Sequence, residues 1–278
     1  MKKRKTISLV GTVLFTFLGL LYIAPILVVL INSFKQKAYI SLEPFKLPSE
    51  LTWNGMGNYS SAIDQYGFLN AVGWTVFITV GSVFVILVCT SMCAWYITRV
   101  KGKFSDAMYS LCAVSMVVPF QMVMFTLSLI ADRLHLNTPW GIIIIYLGFG
   151  AGLAVFMFCG FVKSIPLEIE EAAMIDGCNP LVTFFGIVMP IMKPTYISVG
   201  ILETMWIWND FLLPYLVLDI NKYKTISIVV QYMKGSYGRV DMGAIMAALI
   251  MAVIPVIIFY LSCQKYIIKG VAAGAVKG

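Results

Sequence analysis

Long apolar stretches separated by short polar segments dominate this chain of 278 residues. A helix needs about 20 apolar residues to cross the roughly 30 Å hydrocarbon core of a bilayer. Runs of that length predict six membrane-spanning helices, which we place near residues 7–33, 71–97, 107–131, 140–162, 195–218 and 242–263. The pattern therefore predicts an all-α membrane protein with six transmembrane helices, organised as a single transmembrane domain over residues 1–278.

The composition agrees with this prediction. Hydrophobic residues make up 60% of the chain and charged residues 12%, whereas a soluble domain carries about 25% charged residues. Four prolines lie within or at the ends of the predicted spans, namely Pro25, Pro119, Pro214 and Pro255. A membrane helix tolerates proline where neighbours or water satisfy the freed carbonyl, so these positions are either kinks used in gating or ordinary packing irregularities.

The distribution of basic residues predicts the orientation, because short cytoplasmic loops carry an excess of Lys and Arg. With both termini inside, twelve of the 20 basic residues are cytoplasmic: Lys2, Lys3, Arg4, Lys5, Arg99, Lys101, Lys103, Lys163, Lys193, Lys265, Lys269 and Lys277. The external eight are Lys35, Lys37, Lys46, Arg133, Lys222, Lys224, Lys234 and Arg239. We therefore expect a cytoplasmic N-terminus and a cytoplasmic C-terminus, and we interpret the net charge of +7 as a topology signal rather than a sign of nucleic-acid binding.

The longest predicted cytoplasmic loop, residues 163–194, has the pattern of a helix, a bend and a second helix. Asp176 and Gly177 interrupt the first helical pattern, and Asn179-Pro180 is typical of a cap and first turn. Ala172 and Ala173 would give the first helix a surface that permits close approach. Such a loop is either a docking element for a cytoplasmic partner or an amphipathic helix lying at the membrane interface.

Residues for catalysis or metal binding are scarce. The single histidine, His135, is predicted in a short external loop, and the sequence contains no metal-spaced Cys/His set, catalytic signature or nucleotide-binding motif. We therefore predict no catalytic residue and no metal site. Any uphill transport by this chain would need an external source of energy.

Two acidic residues, Glu203 and Asp210, stand within an apolar run. A charge at the bilayer centre costs about 2.5–3.5 kcal/mol on insertion scales, so it normally faces a protein interior or a water-filled path. Their spacing predicts one shared helical face, with Trp206 between them and Asn209 nearby. These residue types suit a hydroxyl-rich solute, since carboxylates accept hydroxyl hydrogens; Gln121 is a weaker candidate for the same path. The alternative is a polar clamp between helices.

Four segments carry a resemblance to a known family. EAAMIDGCNPLVTFFGIVMP, from Glu171 to Pro190, resembles the EAA loop of ATP-binding-cassette (ABC) importer permeases, although Met189 replaces the usual leucine before the proline. FVKSIPLEIEEAA, WNDFLLPYLVL and the C-terminal QKYIIKGVAAGAVKG extend the match. Together they are similar to the carbohydrate-uptake branch, specifically the shorter permease of a maltose-type pair, and imply the type I ABC importer architecture.

The resemblance implies a complex and a plasma-membrane location in a prokaryote. The expected partners are a second homologous permease, two copies of a cytoplasmic ATPase that bind ATP and Mg²⁺, an extracytoplasmic solute-binding protein and membrane lipid. No cofactor is expected on this chain. The loop would be the helix that couples the permease to the ATPase, with the residues Glu170, Glu171, Ala172, Ala173, Asp176, Gly177 and Pro190.

The expected function is thus import of a sugar, in particular an oligosaccharide, by alternating access. In some systems of this kind the partner permease supplies most sugar contacts, which leaves the role of Glu203 and Asp210 open. The nearest alternative is a permease of the same family for a non-sugar solute such as a polyamine. A more distant alternative is an intramembrane enzyme that uses those two acids.

Overall fold

The computed structural model describes residues 2–234 and 240–275, with side chains for 11–234 and 240–266, and the regular secondary structure in these residues is helical apart from an isolated bridge between Lys35 and Trp53. Arg239 and Lys277, which enter the orientation argument, lie outside the described residues. The helices are α1 Lys2–Ser33, α2 Lys37–Leu42, α3 Gly57–Ser60, α4 Phe68–Arg99, α5 Lys103–Val117, α6 Phe120–Arg133, α7 Pro139–Val162, α8 Leu167–Ile175, α9 Pro180–Thr183, α10 Met189–Ile191, α11 Lys193–Asn209, α12 Leu212–Val217, α13 Ile226–Tyr232 and α14 Met242–Ala275. Ser61–Gln65 and Phe184–Val188 form π-helical turns.

Four helical segments are long and apolar enough to cross a membrane: Gly11–Ser33, Phe68–Arg99, Pro139–Val162 and Met242–Tyr266. Two bent pairs could each make one further span, so the described residues supply four spans, or up to six. The pairs are Lys103–Val117 with Phe120–Arg133, bent by 107°, and Pro180–Ile191 with Lys193–Asn209, bent by 78°.

Two predicted spans contain a break in the helix. Near 107–131 the chain leaves the helix at Val118, whose backbone is extended, because the residue before a proline disfavours the helical conformation. Near 195–218, α11 ends at Asn209 and Asp210 is extended before α12 begins. The physical cause there is a cap made by Asp210, described below.

One compact unit comprises Met1–Leu69 and Val229–Ile258. The segment between α1 and α4 in this unit is held by buried polar contacts: the Asn58 amide donates to the carbonyls of Ser33 and Lys35, at 2.8 Å each. Lys35 is itself buried, and its Nζ donates to the Glu43 carbonyl at 2.7 Å. Burial lowers the pKa of Lys35, and the Glu43 carboxylate partly opposes that shift.

In contrast, the apolar side chains of α1 are largely exposed. None of the 18-residue window within Gly11–Ser33 is buried inside the chain, and Phe15 and Tyr22 are among the exposed aromatic residues. Such a helix suits contact with lipid or with another subunit.

The second compact unit comprises Asn70–Ile228 and Phe259–Gly278 and contains the main apolar core. Tyr146 and Phe158 of α7, Ile86 of α4 and Val199 of α11 are fully buried there. Gly152 of α7 lets α5 approach closely, because a Cβ at that position would lie 2.8 Å from the Cys112 carbonyl oxygen. Both candidate sites belong to this unit.

Candidate coupling and solute sites

The loop 163–194 has the helix–bend–helix form that the sequence predicts. Helix α8 ends at Ile175, and Gly177 takes a φ of +86°, a left-handed conformation that glycine adopts without steric cost. The Asn179 side chain then accepts from the Val182 N–H and Pro180 occupies the first turn of α9, as its sequence predicts. The bend and both helix ends thus follow from local residue chemistry.

The seven predicted coupling residues fall into two groups. Glu171, Ala172, Asp176, Gly177 and Pro190 are exposed. Glu170 and Ala173 are buried, Glu170 to 1% exposure. The side chains of Glu170 and Ala173 therefore lie inside the chain, and the coupling role of the seven residues stays a prediction.

Glu170 instead joins the loop to the end of α4. Its Oε1 accepts from Arg99 Nη2 at 2.7 Å and from Nε at 2.9 Å, and its Oε2 accepts from Trp95 Nε1 at 2.8 Å. Arg99 Nη2 also donates to the Ile165 carbonyl at 2.9 Å. Both carboxylate oxygens are satisfied, as a buried charge requires, so the start of α8 is fixed to α4.

Sequence reasoning missed two features of this site. Arg99 and Trp95 were not identified as partners of the loop, although an arginine at a span end and an acid in a nearby loop on the same side are a signal for such a pair. Apolar side chains around the bend were also missed. Ile175 is 86% exposed, and Met174, Leu181 and Val182 are exposed as well, which is typical of a docking surface.

Glu203 lies on α11 and is 2% exposed. Its Oε2 has no hydrogen-bond partner among the described residues. It lies against Gly150 of α7, where a Cβ would be 3.0 Å from Oε2. Glu203 is also one of the six residues that line a cavity of about 190 Å³, together with Phe149, Gly150, Leu153, Leu202 and Trp206. The structure thus brings Glu203 and Trp206 together.

Asp210 and Glu203 both face α7, because Asp210 contacts Tyr146 and Glu203 lies against Gly150, one turn further along that helix; α11 nevertheless ends at Asn209, so the two acids do not lie on one continuous helix. Asp210 lies beyond the end of α11, where its Oδ1 accepts from the N–H groups of Leu212, at 3.0 Å, and Leu213, at 3.4 Å. Its Oδ2 accepts from Tyr146 Oη at 3.0 Å. Asp210 therefore caps the first turn of α12 and anchors Tyr146, whose ring contacts Trp206 edge-on at 5.5 Å between centroids.

The remaining two candidates, Asn209 and Gln121, are exposed. The Asn209 amide donates to the Met205 carbonyl of its own helix at 2.7 Å. Neither residue lines the cavity beside Glu203. Among the described residues there is also no group of three or more His, Cys, Asp or Glu that could hold a metal ion.

Comparison with known proteins gives consistent matches over most of the chain. The model of the family "Binding-protein-dependent transport system inner membrane component" matches residues 86–273. The probable starch degradation products transport system permease protein AmyC of Thermoanaerobacterium thermosulfurigenes is 38% identical over 269 residues, covering 95% of this chain and 96% of AmyC. The multiple sugar-binding transport system permease protein MsmG of Streptococcus mutans is 34% identical over 288 residues and matches over 100% of both chains.

A solved structure supports the fold. A chain of a bacterial ABC transporter involved in the import of the acidic polysaccharide alginate superimposes with a TM-score of 0.80 at 22% sequence identity, covering 96% of this chain and 98% of that chain. The all-α, type I ABC importer permease architecture is therefore confirmed.

The family also fixes the general class of the protein. The resemblance to carbohydrate-uptake ABC permeases is confirmed by these matches. The protein is a multi-pass membrane protein that works within a transporter complex, and it is a transport subunit rather than an enzyme. The chain belongs to the family of binding-protein-dependent transport system inner membrane components.

Proposed function

We propose that this protein is a permease subunit of an ATP-driven importer of a sugar, in particular an oligosaccharide. It would move solute delivered by an extracytoplasmic binding protein through alternating access. The observation that carries the proposal is the similarity along almost the whole chain to permeases named for starch degradation products and for multiple sugars. Nothing comparable favours a polyamine or another non-sugar solute.

The proposed assembly contains a second homologous permease and two copies of a cytoplasmic ATPase, which bind ATP and Mg²⁺. This chain itself needs no cofactor. The protein crosses a prokaryotic plasma membrane six times with both termini inside, an orientation that the excess of basic residues in the inner loops favours. The bent pairs α5–α6 and α9–α11 each then contribute one span.

In this assembly the loop 163–194 couples the permease to the ATPase. Glu171, Ala172, Asp176, Gly177 and Pro190 would present an exposed polar and small-residue surface, and Ile175 would enter an apolar groove of the partner. Ala173 lies beneath this surface. Glu170 would contribute to the coupling from the buried side of α8, because its bonds to Arg99 and Trp95 fix α8 to α4. Movement of the ATPase would thereby reach the membrane helices.

Reconstitution of the complete importer tests the function. Proteoliposomes holding both permeases and the ATPase, with ATP inside and the binding protein outside, are supplied with radiolabelled oligosaccharides, monosaccharides and a polyamine. We expect ATP-dependent accumulation of an oligosaccharide. Accumulation of the polyamine but of no saccharide would overturn the sugar assignment, and solute turnover by the chain alone without ATP would overturn the transport assignment.

Replacement of Gly177 tests the coupling role. The φ of +86° strains any L side chain, so Gly177→Ala should alter the bend and lower both sugar uptake and binding-protein-stimulated ATP hydrolysis. Gly186→Ala is the matched control, because Gly186 lies in the same loop and a Cβ there meets no atom within 4 Å. Unchanged uptake and ATP hydrolysis in an assembled Gly177→Ala complex would refute the coupling assignment.

A further inference from the structure

We propose that the cavity beside Glu203 binds one ring of the transported saccharide, with the Glu203 carboxylate accepting a sugar hydroxyl. The proposal rests on the sugar-import function above and assigns a solute contact to this subunit. The cavity is bordered by α7 and α11, and it is lined by the six residues given above. Three observations support the proposal: an unsatisfied buried carboxylate, the absence of a competing donor, and aromatic walls.

The first observation is the state of the carboxylate. Glu203 is 98% buried, since only 2% of its surface is exposed, and Oε2 accepts no hydrogen bond from the described residues. Leaving a buried polar group unpaired is unfavourable, and more so for a charged group. An acid within a membrane helix is therefore kept where a donor reaches it during function.

The second observation concerns which donor fits. The other five lining residues are apolar or glycine, so the lining contains no Lys or Arg that could pair with the acid. A metal ion would need more oxygen ligands than this single carboxylate supplies, and the described residues hold no metal-ligand cluster. Asp210 is no substitute acceptor, because its oxygens are engaged by Tyr146 and by α12. A neutral hydroxyl donor from a solute satisfies these constraints.

The third observation is the shape and lining of the cavity. Trp206 is 42% exposed and its indole is held in place edge-on by the ring of Tyr146. Phe149 also lines the cavity, and its ring packs edge-on against Phe120 at 5.4 Å between centroids. Rigid aromatic groups beside one hydrogen-bonding group suit a ligand with apolar C–H faces and a hydroxyl rim.

The size of the cavity limits what it holds. Its volume of about 190 Å³ is below the roughly 300–1,000 Å³ of a complete small-molecule site. It is nevertheless far above the roughly 10–15 Å³ that one water molecule needs. One ring of an oligosaccharide fits these bounds, and the second permease would contact the remaining rings.

Gly150 makes this arrangement possible. A Cβ at that position would lie 3.0 Å from Glu203 Oε2 and 2.7 Å from Ile86 Cδ1, both closer than ordinary van der Waals contact. Any larger residue would push the carboxylate out of its position beside α7. The absence of a side chain at Gly150 therefore leaves room for the Glu203 carboxylate between α11 and α7, and Ile86 of α4 packs against the same glycine.

The test uses the complete importer and two readouts. Radiolabelled oligosaccharide retained by the purified complex, trapped with ATP and vanadate, measures solute binding within the membrane subunits. Uptake and binding-protein-stimulated ATP hydrolysis in proteoliposomes measure transport and coupling. The variants are Glu203→Gln, which keeps size and one acceptor, Glu203→Leu, which removes the acceptor, and Trp206→Leu. Glu50→Gln, at an exposed position of the segment between α1 and α4, is the charge-matched control.

We expect Glu203→Leu to weaken retention of the saccharide by about 10- to 100-fold, since a hydrogen bond to a charged group contributes about 1.5–3 kcal/mol. Glu203→Gln should weaken it about tenfold or less, and Trp206→Leu should weaken it as well. In all three variants, ATP hydrolysis stimulated by the binding protein should stay near the wild-type rate. Glu50→Gln should match the wild type in every readout.

Wild-type retention and uptake in both Glu203→Leu and Trp206→Leu would overturn the proposal and would assign the cavity to bound water only. Poor assembly of the Glu203 variants with the second permease, combined with normal retention in the assembled fraction, would also overturn it, because the acid would then serve a subunit contact. Failure of the proposed function is distinguishable from both results: the wild-type complex would then accumulate no saccharide, whatever the variants do.

Discussion

Arg99 Nη2 lies 2.7 Å from Glu170 Oε1, so the last residue of α4 is bonded to the first turn of α8. The pair joins a helix long enough to span a membrane to the loop that we propose as the docking element. Trp95 Nε1 donates a hydrogen bond to the second carboxylate oxygen, Glu170 Oε2, at 2.8 Å. A displacement of α8 would therefore pull on α4 directly, in addition to the helices on either side of the loop.

Arg99→Ala should destabilise this junction. It leaves Glu170, at 1% exposure, with a charge that only Trp95 contacts, and breaking a buried pair costs about 3–5 kcal/mol. The lower end of this energy range applies to Arg99→Ala, because the Arg99 side chain keeps 18% of its surface exposed. We expect a lower apparent unfolding temperature of the purified complex and weaker stimulation of ATP hydrolysis by the binding protein.

The control for Arg99→Ala is Arg133→Ala, at an exposed position of α6, which should change neither measurement. The double variant Arg99→Ala/Glu170→Gln should recover part of the lost stability, since it leaves no unpaired charge. Equal unfolding temperatures for Arg99→Ala and the wild type would contradict the junction. Unchanged stimulation together with a lowered unfolding temperature would limit the pair to a structural role.

The apolar pattern predicts the positions of α1, α4, α7 and α14, because an apolar segment that crosses a membrane must hydrogen-bond its own backbone polar groups and therefore forms a helix. The ends of the small helices in the loop also follow, since Asn179 and Gly177 act locally. The break at Val118 could have been predicted from Pro119 alone, but uninterrupted hydrophobicity across the proline favoured one continuous span.

What the pattern does not contain is the long-range pairing of polar groups. Glu170 and Glu171 are adjacent identical residues, and only the packing of α8 against α4 decides that one is buried and the other exposed. Likewise, Glu203 and Asp210 have a helical spacing, yet Asp210 satisfies the free N–H groups of α12 and so ends the helix. These outcomes depend on three-dimensional neighbours that one sequence does not reveal.

Ile175 should contribute to docking on the ATPase. It is 86% exposed in this chain, and burying an isoleucine side chain contributes about 1.5–3 kcal/mol. Ile175→Ala should therefore weaken association of the detergent-solubilised permease pair with the ATPase by about 10-fold or more, measured by co-purification over a concentration series. Leu47→Ala, at an exposed apolar position of the segment between α1 and α4, is the control; equal ATPase affinity for the two variants would refute the docking role.

Gly152 should be required for the approach of α5 to α7. A Cβ there would lie 2.6 Å from Met116 Cγ and 2.8 Å from the Cys112 carbonyl oxygen, so the backbone of α5 would have to shift. Overpacking of this kind costs about 1–3 kcal/mol. We expect Gly152→Ala to lower the yield and the apparent unfolding temperature.

The matched variant for Gly152 is Gly148→Ala, one turn earlier on α7, where a Cβ meets no atom within 4 Å. It should be neutral or slightly stabilising, because alanine loses less backbone freedom than glycine in a helix. If the two alanine variants had the same unfolding temperature, close packing at Gly152 would not limit stability.

Variants of Asp210 separate the effect of its hydrogen bonds from the effect of its charge. Asp210→Asn keeps an oxygen for the N–H groups of Leu212 and Leu213, and its Nδ2 can donate to Tyr146 Oη in place of the bond that Oδ2 accepts. Asparagine also caps helices about as well as aspartate. We therefore expect near-normal unfolding temperature and saccharide uptake.

Asp210→Ala removes the cap, at a cost of about 0.5–2 kcal/mol. It also leaves the fully buried Tyr146 hydroxyl without its acceptor, at a cost of about 1–3 kcal/mol. Its uptake should fall together with its thermal stability, whereas Asp64→Ala, at an exposed acid, should change neither. Loss of uptake in Asp210→Asn with an unchanged unfolding temperature would instead assign the charge of Asp210 to the solute path, because the unchanged temperature excludes loss of the cap and of the Tyr146 contact.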